Sequence, residues 1–102
     1  MSDIKEARRT LVARILEGGG RASQAQRRAA FDNQGLAEPL RTLIEKVANR
    51  ARDVSDQDVD SARASGLSED QIFEIVVCGA AGQAARQYDT ALAALEAAVQ
   101  KE

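Results

Sequence analysis

The 102-residue sequence predicts an all-α fold, one domain of five helices of which the last is by far the longest. Three observations carry that prediction. Apolar residues recur at three- and four-residue spacing, the repeat of one helix face. Ser55 and Ser68 each stand before an acidic turn, as helix-capping serines do. The alanine-rich stretch Leu67–Val99 contains nothing that would stop a helix once begun. A chain of this length can bury roughly two-thirds of its unfolded surface, which suffices for a modest core without disulfides or metal.

The first helix starts at Asp3, whose carboxylate can cap the amide at Glu6 while Glu6 reaches back. Ile4, Ala7, Leu11, Val12 and Ile15 form its apolar stripe, and Gly18-Gly19-Gly20 ends it. Three glycines also make a joint that lets residues 1–20 dock on their own domain or on a neighbouring subunit. The second helix opens at Ser23 with Gln26 completing a capping box, and runs to about Asn33 before Gly35. Pro39 suits the first position of a third helix reaching about Ala51. Its stripe of Leu40, Leu43, Ile44, Val47, Ala48 and Ala51 is the clearest core signal in the chain.

Two consecutive segments then share one design. Val54-Ser55 and Leu67-Ser68 each place an apolar residue before a serine cap and another, Val59 or Ile72, five positions on, the spacing of a hydrophobic staple. The fourth helix covers about 56–64 and stops at Gly66. The fifth runs from Glu69 to about Val99, roughly 46 Å at 1.5 Å per residue. Gly79 and Gly82 thin it where another helix crosses, and a kink there is one expected outcome.

Composition excludes much chemistry. There is no histidine to act as a base or metal ligand, and a single cysteine cannot form an internal disulfide. With three aromatic residues and no tryptophan, the core must be aliphatic, and alanine-rich faces invite completion by other chains. Neither a signal peptide nor an uncharged run of about 20 apolar residues is present, so no membrane partner and a cytoplasmic location are expected. Charge is polarised: residues 1–52 carry 11 Lys/Arg and 6 Asp/Glu, residues 53–102 carry 3 and 10. The two halves should attract, within one subunit or between subunits.

The stretch Asp53–Leu95 resembles the second part of the alkylhydroperoxidase D-like and carboxymuconolactone decarboxylase superfamily. The matching features are Ala62, Gly66-Leu67-Ser68 and Ile72, followed by a Gly/Ala-rich helix from Gly79 to Leu95 that ends in an Ala-Leu repeat. About 45 residues are covered, or about 65 if Leu40–Ala51 is the preceding family helix, which makes 39–99 the family-like core. The resemblance implies an all-helical fold and a trimeric or hexameric homo-oligomer. It also implies a Cys-x-x-Cys-x-x-x-His motif in peroxidase members, and those positions here hold Ala51, Val54 and Asp58. Without the thiol pair and the histidine, the family's activity has no reacting groups. The expectation is a truncated, non-catalytic relative that needs no cofactor and serves an assembly or accessory role, with a protein partner or a small ligand.

Several residues are candidates for chemistry nonetheless. Cys78 is the one thiol, yet no Lys or Arg lies within a helical turn of it, which predicts a buried, inert group. Glu74 sits one turn before Cys78, so it is either a partly buried acid with a raised pKa or the partner of Arg41, Arg50 or Arg52. Glu45 is a second carboxylate at the edge of an apolar stripe. Arg86 and Tyr88 could contact a small ligand. An enzyme acting on a small organic acid through Glu74, Cys78 and Arg86 is therefore the alternative to the non-catalytic reading. Arg21, Arg27 and Arg28 cluster as a phosphate-binding patch would, but nucleic acid is not expected of an acidic chain without interleaved aromatics. Gly18–Gly20 lacks the strand and Lys-Ser/Thr of a phosphate loop. Asp56, Asp58 and Asp60 have calcium-like spacing, but Ser61 and Leu67 stand where such a loop needs glycine and glutamate, so no metal is expected.

Overall fold

Cap chemistry sets the helix boundaries. The computed structural model describes residues 2–101 and, among these, contains five α-helices: α1 (Ser2–Glu17), α2 (Gln24–Asp32), α3 (Leu40–Asn49), α4 (Asp56–Ala64) and α5 (Glu69–Gln100). A single 3-10 turn, Ala51–Asp53, links α3 to α4. Ser55 and Ser68 each make the full capping box, Ser68 Oγ accepting from Gln71 N at 3.1 Å while Gln71 Oε1 accepts from Ser68 N at 2.8 Å. Ser23 Oγ caps α2 by accepting from Gln26 N at 3.0 Å, but no bond returns from Gln26 among the described residues. Asp3 is no cap, because α1 is already helical at Ser2.

Two of the stops are glycine or its nearest substitute. Gly66, at φ 103°, ends α4, and Asn33, at φ 52°, ends α2 in the left-handed region that Asn tolerates. Pro39 leads into α3, which ends at Asn49; Ala51 is exposed in the following turn and is not part of the core stripe.

α5 is the beam on which the other elements are laid. It is continuous through Gly79 and Gly82, with no break at either. α2 and α3 pack across its first half, and Leu43, Ile44, Ile75 and Cys78 are the largest fully buried side chains at that crossing. The two glycines permit the approach. A Cβ on Gly82 would stand 1.9 Å from the carbonyl oxygen of Phe31, and one on Gly79 would stand 3.1 Å from Ile44 Cγ2. α1 returns antiparallel over α2 and α5 of the same chain. Its packed face matches the predicted one only in part: Val12 and Ile15 are half-buried as expected and Leu16 is buried, whereas Ile4 (54% exposed) and Leu11 (57%) face outwards. The apolar arc of α1 is wide, and contact with α2 and α5 rotates Val12 and Leu16 inwards and leaves its other edge bare. No helix among the described residues is long and apolar enough to cross a membrane.

From Ala93 onwards α5 projects beyond the body of the domain with every described residue exposed, giving a molecule of 55 × 29 × 20 Å.

Candidate functional site at the α1–α2–α5 seam

Glu74, Cys78, Arg86 and Tyr88 all lie on α5 where it meets α1 and α2; Glu74 and Cys78 line one shallow cleft with Arg14 and Arg27, while Arg86 and Tyr88 lie outside it. Glu74 receives the main-chain N–H groups of Arg21 (2.9 Å) and Ala22 (2.6 Å), the residues just after the triple-glycine joint. These N–H bonds hold its carboxyl below the usual glutamate range, with Arg27 adding a smaller attraction. Both predicted environments are therefore corrected. Its pKa is lowered and not raised, and among the described residues none of Arg41, Arg50 and Arg52 pairs with it: Arg50 is spent on Glu45 (2.8 Å) and Asp53, and Arg41 on Glu38. Sequence spacing on α5 could not reveal that two backbone donors arrive from a turn fifty residues earlier.

Cys78 is 1% exposed. Burial pushes its thiol up, which outweighs a weaker opposing pull from Arg27, the cation that α2 brings near. Its sulfur rests 3.9 Å from the carbonyl of Ile15 and behaves as a small core side chain.

Arg27 is the one buried charge among the described residues, 5% exposed. Its guanidinium donates to the carbonyls of Gly18 (2.7 Å) and Ile15 (3.2 Å), satisfying the otherwise open C-terminal end of α1. The arginine cluster read from the sequence is thus divided: Arg27 caps α1, Arg28 pairs on the surface with Asp32 at 3.2 Å, and Arg21 serves Glu74 through its backbone. Three roles replace one patch.

Arg86 is likewise committed, donating to the carbonyl of Phe31 at 2.6 Å and to Gln83 Oε1 at 3.2 Å. Tyr88 points elsewhere, into a cleft between α1, α2 and α5, where the guanidinium of Arg8 lies 4.9 Å from its ring centre. Arg8 also pairs with Asp89 at 2.7 Å. Asp58, at the position the resemblance assigns to histidine, accepts from Ser55 N at 2.9 Å and from Lys46 Nζ at 3.0 Å. Those bonds hold its carboxyl below the usual range, and Ala51 and Val54 beside it offer no reacting atom.

One feature of α5 escaped the sequence reading. Successive helical residues turn by roughly 100°, and on that wheel Glu74, Arg86, Asp89 and Glu96 all fall on the arc facing α1 and α2. No other residue between Phe73 and Val99 is charged. The outward arc is an uncharged stripe of Phe73, Val77, Ala80, Ala84, Gln87, Ala91, Leu95 and Val99, with Phe73 69% exposed and Leu95 and Val99 60% each. Surface helices ordinarily carry their charges outwards. The one-sided positions of four charges were the available signal.

The fold and seam thus define a single-domain, all-α protein with a long C-terminal helix and main-chain-locked polar groups. Comparison with protein-family models, with curated proteins and with solved structures gives no match.

Proposed function

We propose that this chain is a non-catalytic assembly module that forms homo-oligomers by pairing the outward face of α5 with that of a second copy. The uncharged stripe, about 39 Å long from Phe73 to Val99 at 1.5 Å per residue, is the observation that carries the reading. Its shape is self-complementary. Bulky residues stand at both ends and alanines in the middle, so an antiparallel pair centred on residue 86 sets Val77 against Leu95 and Phe73 against Val99 of the second copy. Lys101 at each projecting tip then falls over the acidic first turn, Glu69 and Asp70, of the other.

A contact of this kind has twofold symmetry, which fits a dimer or a hexamer and not a simple trimer. A stripe of one helix width covers roughly 400 Å² per copy, half of what a standard interface buries on each side. The bare edge of α1, Ile4 and Leu11, enlarges the surface: Ile15 of α1 lines the same shallow cleft as Phe73 and Val77. The resemblance of Asp53–Leu95 to the alkylhydroperoxidase D-like superfamily, an oligomeric family, agrees with this reading. An enzyme built on Glu74, Cys78 and Arg86 is the weaker reading, because the two charged groups are bonded to main chain and the thiol is buried.

Sedimentation equilibrium tests the proposal. The wild-type chain should sediment as a defined even-numbered oligomer, and Val77→Glu or Leu95→Glu, both on the outward face, should dissociate it with the helical circular dichroism retained. A wild-type monomer at micromolar concentration would overturn it.

A further inference from the structure

The cleft that holds Tyr88 has a composition the assembly does not require. It measures about 470 Å³, within the range of small-molecule sites. Four cations stand around it: Lys5, Arg8 and Arg9 from α1 and Arg28 from α2. The one carboxylate that lines it is Asp89, already bonded to Arg8. Among the described residues neither Lys5 nor Arg9 has a carboxylate partner, and Arg28 has only the exposed Asp32. A chain with a net charge of −2 therefore concentrates uncompensated positive charge in one concavity.

The floor is apolar. Val12, Phe31, Ala85 and Leu92 line it with the ring of Tyr88. Arg8 covers Tyr88 at 4.9 Å and Arg28 lies 5.9 Å from the ring centre of Phe31. A guanidinium stacked on a ring keeps its in-plane N–H donors for an anion while its face is already occupied. The spacing of Lys5, Arg8 and Arg9, three and four residues apart, puts all three on the face of α1 that meets this cleft. Around α1 the mean direction of Lys5, Arg8 and Arg9 lies roughly 100° from that of Ile4 and Leu11, so the cationic cleft adjoins the bare apolar edge without coinciding with it.

We propose that this cleft binds a small amphiphilic organic anion, its carboxylate held by Arg9, Arg28 and Lys5 and its apolar body laid on Tyr88, Phe31 and Leu92. The floor from Ala85 to Leu92 runs roughly 10 Å along α5, room for one aryl ring or a medium alkyl chain. Nucleic acid fits less well, because the charges ring a single half-open concavity and do not track along a backbone-length groove. The cleft borders the α5 pairing face, and its binding test has a readout separate from the oligomer measurement.

Isothermal titration calorimetry with octanoate as the probe decides the matter, with octanol, inorganic phosphate and a short single-stranded DNA as comparators. Octanoate should bind one site per chain, and Arg9→Gln combined with Arg28→Gln should weaken it by about tenfold or more. Leu92→Ser should weaken octanoate as well, which separates a composite site from a bare charge cluster. Octanol and phosphate, each holding half of the recognised chemistry, should bind far more weakly. The proposal fails if octanoate does not bind, if the double variant binds it as wild type does, if phosphate matches it, or if the DNA binds more tightly and displaces it. Unchanged circular dichroism and sedimentation of each variant assign the loss to the cleft and not to the fold or the α5 contact.

Discussion

Replacing Gly82 with alanine should separate the two helices that build the core. The added Cβ would lie 1.9 Å from the Phe31 carbonyl oxygen, 2.7 Å from its carbon and 2.9 Å from its Cα. All three are backbone atoms, so no rotamer change relieves the clash, and α2 must move by more than 1 Å to restore an ordinary carbon–oxygen contact of roughly 3.2 Å. That shift drags Arg86 off the same carbonyl, which it now holds at 2.6 Å. Overpacking of this kind costs about 1–3 kcal/mol, occasionally more, and here the bond from a charged donor adds to it. Alanine returns about 1 kcal/mol of helix propensity. The expected net loss is about 2 kcal/mol, a fall in melting temperature on the order of 10 °C for a domain of this size. Gly79→Ala is the internal control, because its Cβ meets Ile44 side-chain atoms at 3.1 and 3.3 Å, which can yield, and the Ala30 carbonyl oxygen at an ordinary 3.8 Å; its melting temperature should change by less than half as much. Urea and thermal melts of both variants supply the numbers. If Gly82→Ala were as stable as wild type, α2 would not cross α5 as described.

Other consequences follow from the buried polar groups. Arg27→Gln should destabilise the domain by about 2 kcal/mol in a urea melt, because the carbonyls of Ile15 and Gly18 lose their charged donor at the end of α1. Glu74, held below the ordinary value of 4.5 by the Arg21 and Ala22 N–H groups, contributes stability that is present above that value and lost as the pH falls through its folded pKa. Glu74→Gln should therefore lower stability at pH 7 and flatten the acid limb of a stability–pH profile below about pH 4.5; an unchanged acid limb would contradict the assignment.

Much of the fold was legible because its signals are local. Ser55 and Ser68 sit three residues from their capping partners, and the α3 stripe of Leu40, Leu43 and Ile44 repeats on one face that meets one neighbour. α1 misled because an arc holding Ile4, Leu11, Val12 and Ile15 is wide enough to dock in more than one rotation, and only tertiary contact chooses Val12 and Leu16. Arg27 was read with Arg21 and Arg28 as one patch, since sequence proximity cannot distinguish a guanidinium turned under α1 from its exposed neighbour. Glu74 belonged to the same class: its partners are main-chain donors after a glycine joint, which have no side-chain signature. Tyr88 was named from the sequence, but three of the four cations around it come from α1, and their spacing on that helix went unused. The charge-free face of α5 was present in the spacing of Glu74, Arg86, Asp89 and Glu96, and needed only to be compared with the direction of the core.

Cross-linking across α5 reads the antiparallel pairing itself. One chain carries Val77→Cys and the other Leu95→Cys; Cys78, 1% exposed, is retained in both as an unreactive background. The antiparallel pairing predicts that, on mild oxidation, the mixture yields a disulfide between the two different chains, since Cβ atoms at those positions face each other across the contact within bridging distance. Each variant alone should yield little. Efficient cross-linking of Val77→Cys with itself, or none in the mixture, would contradict the assembly through the outward face of α5.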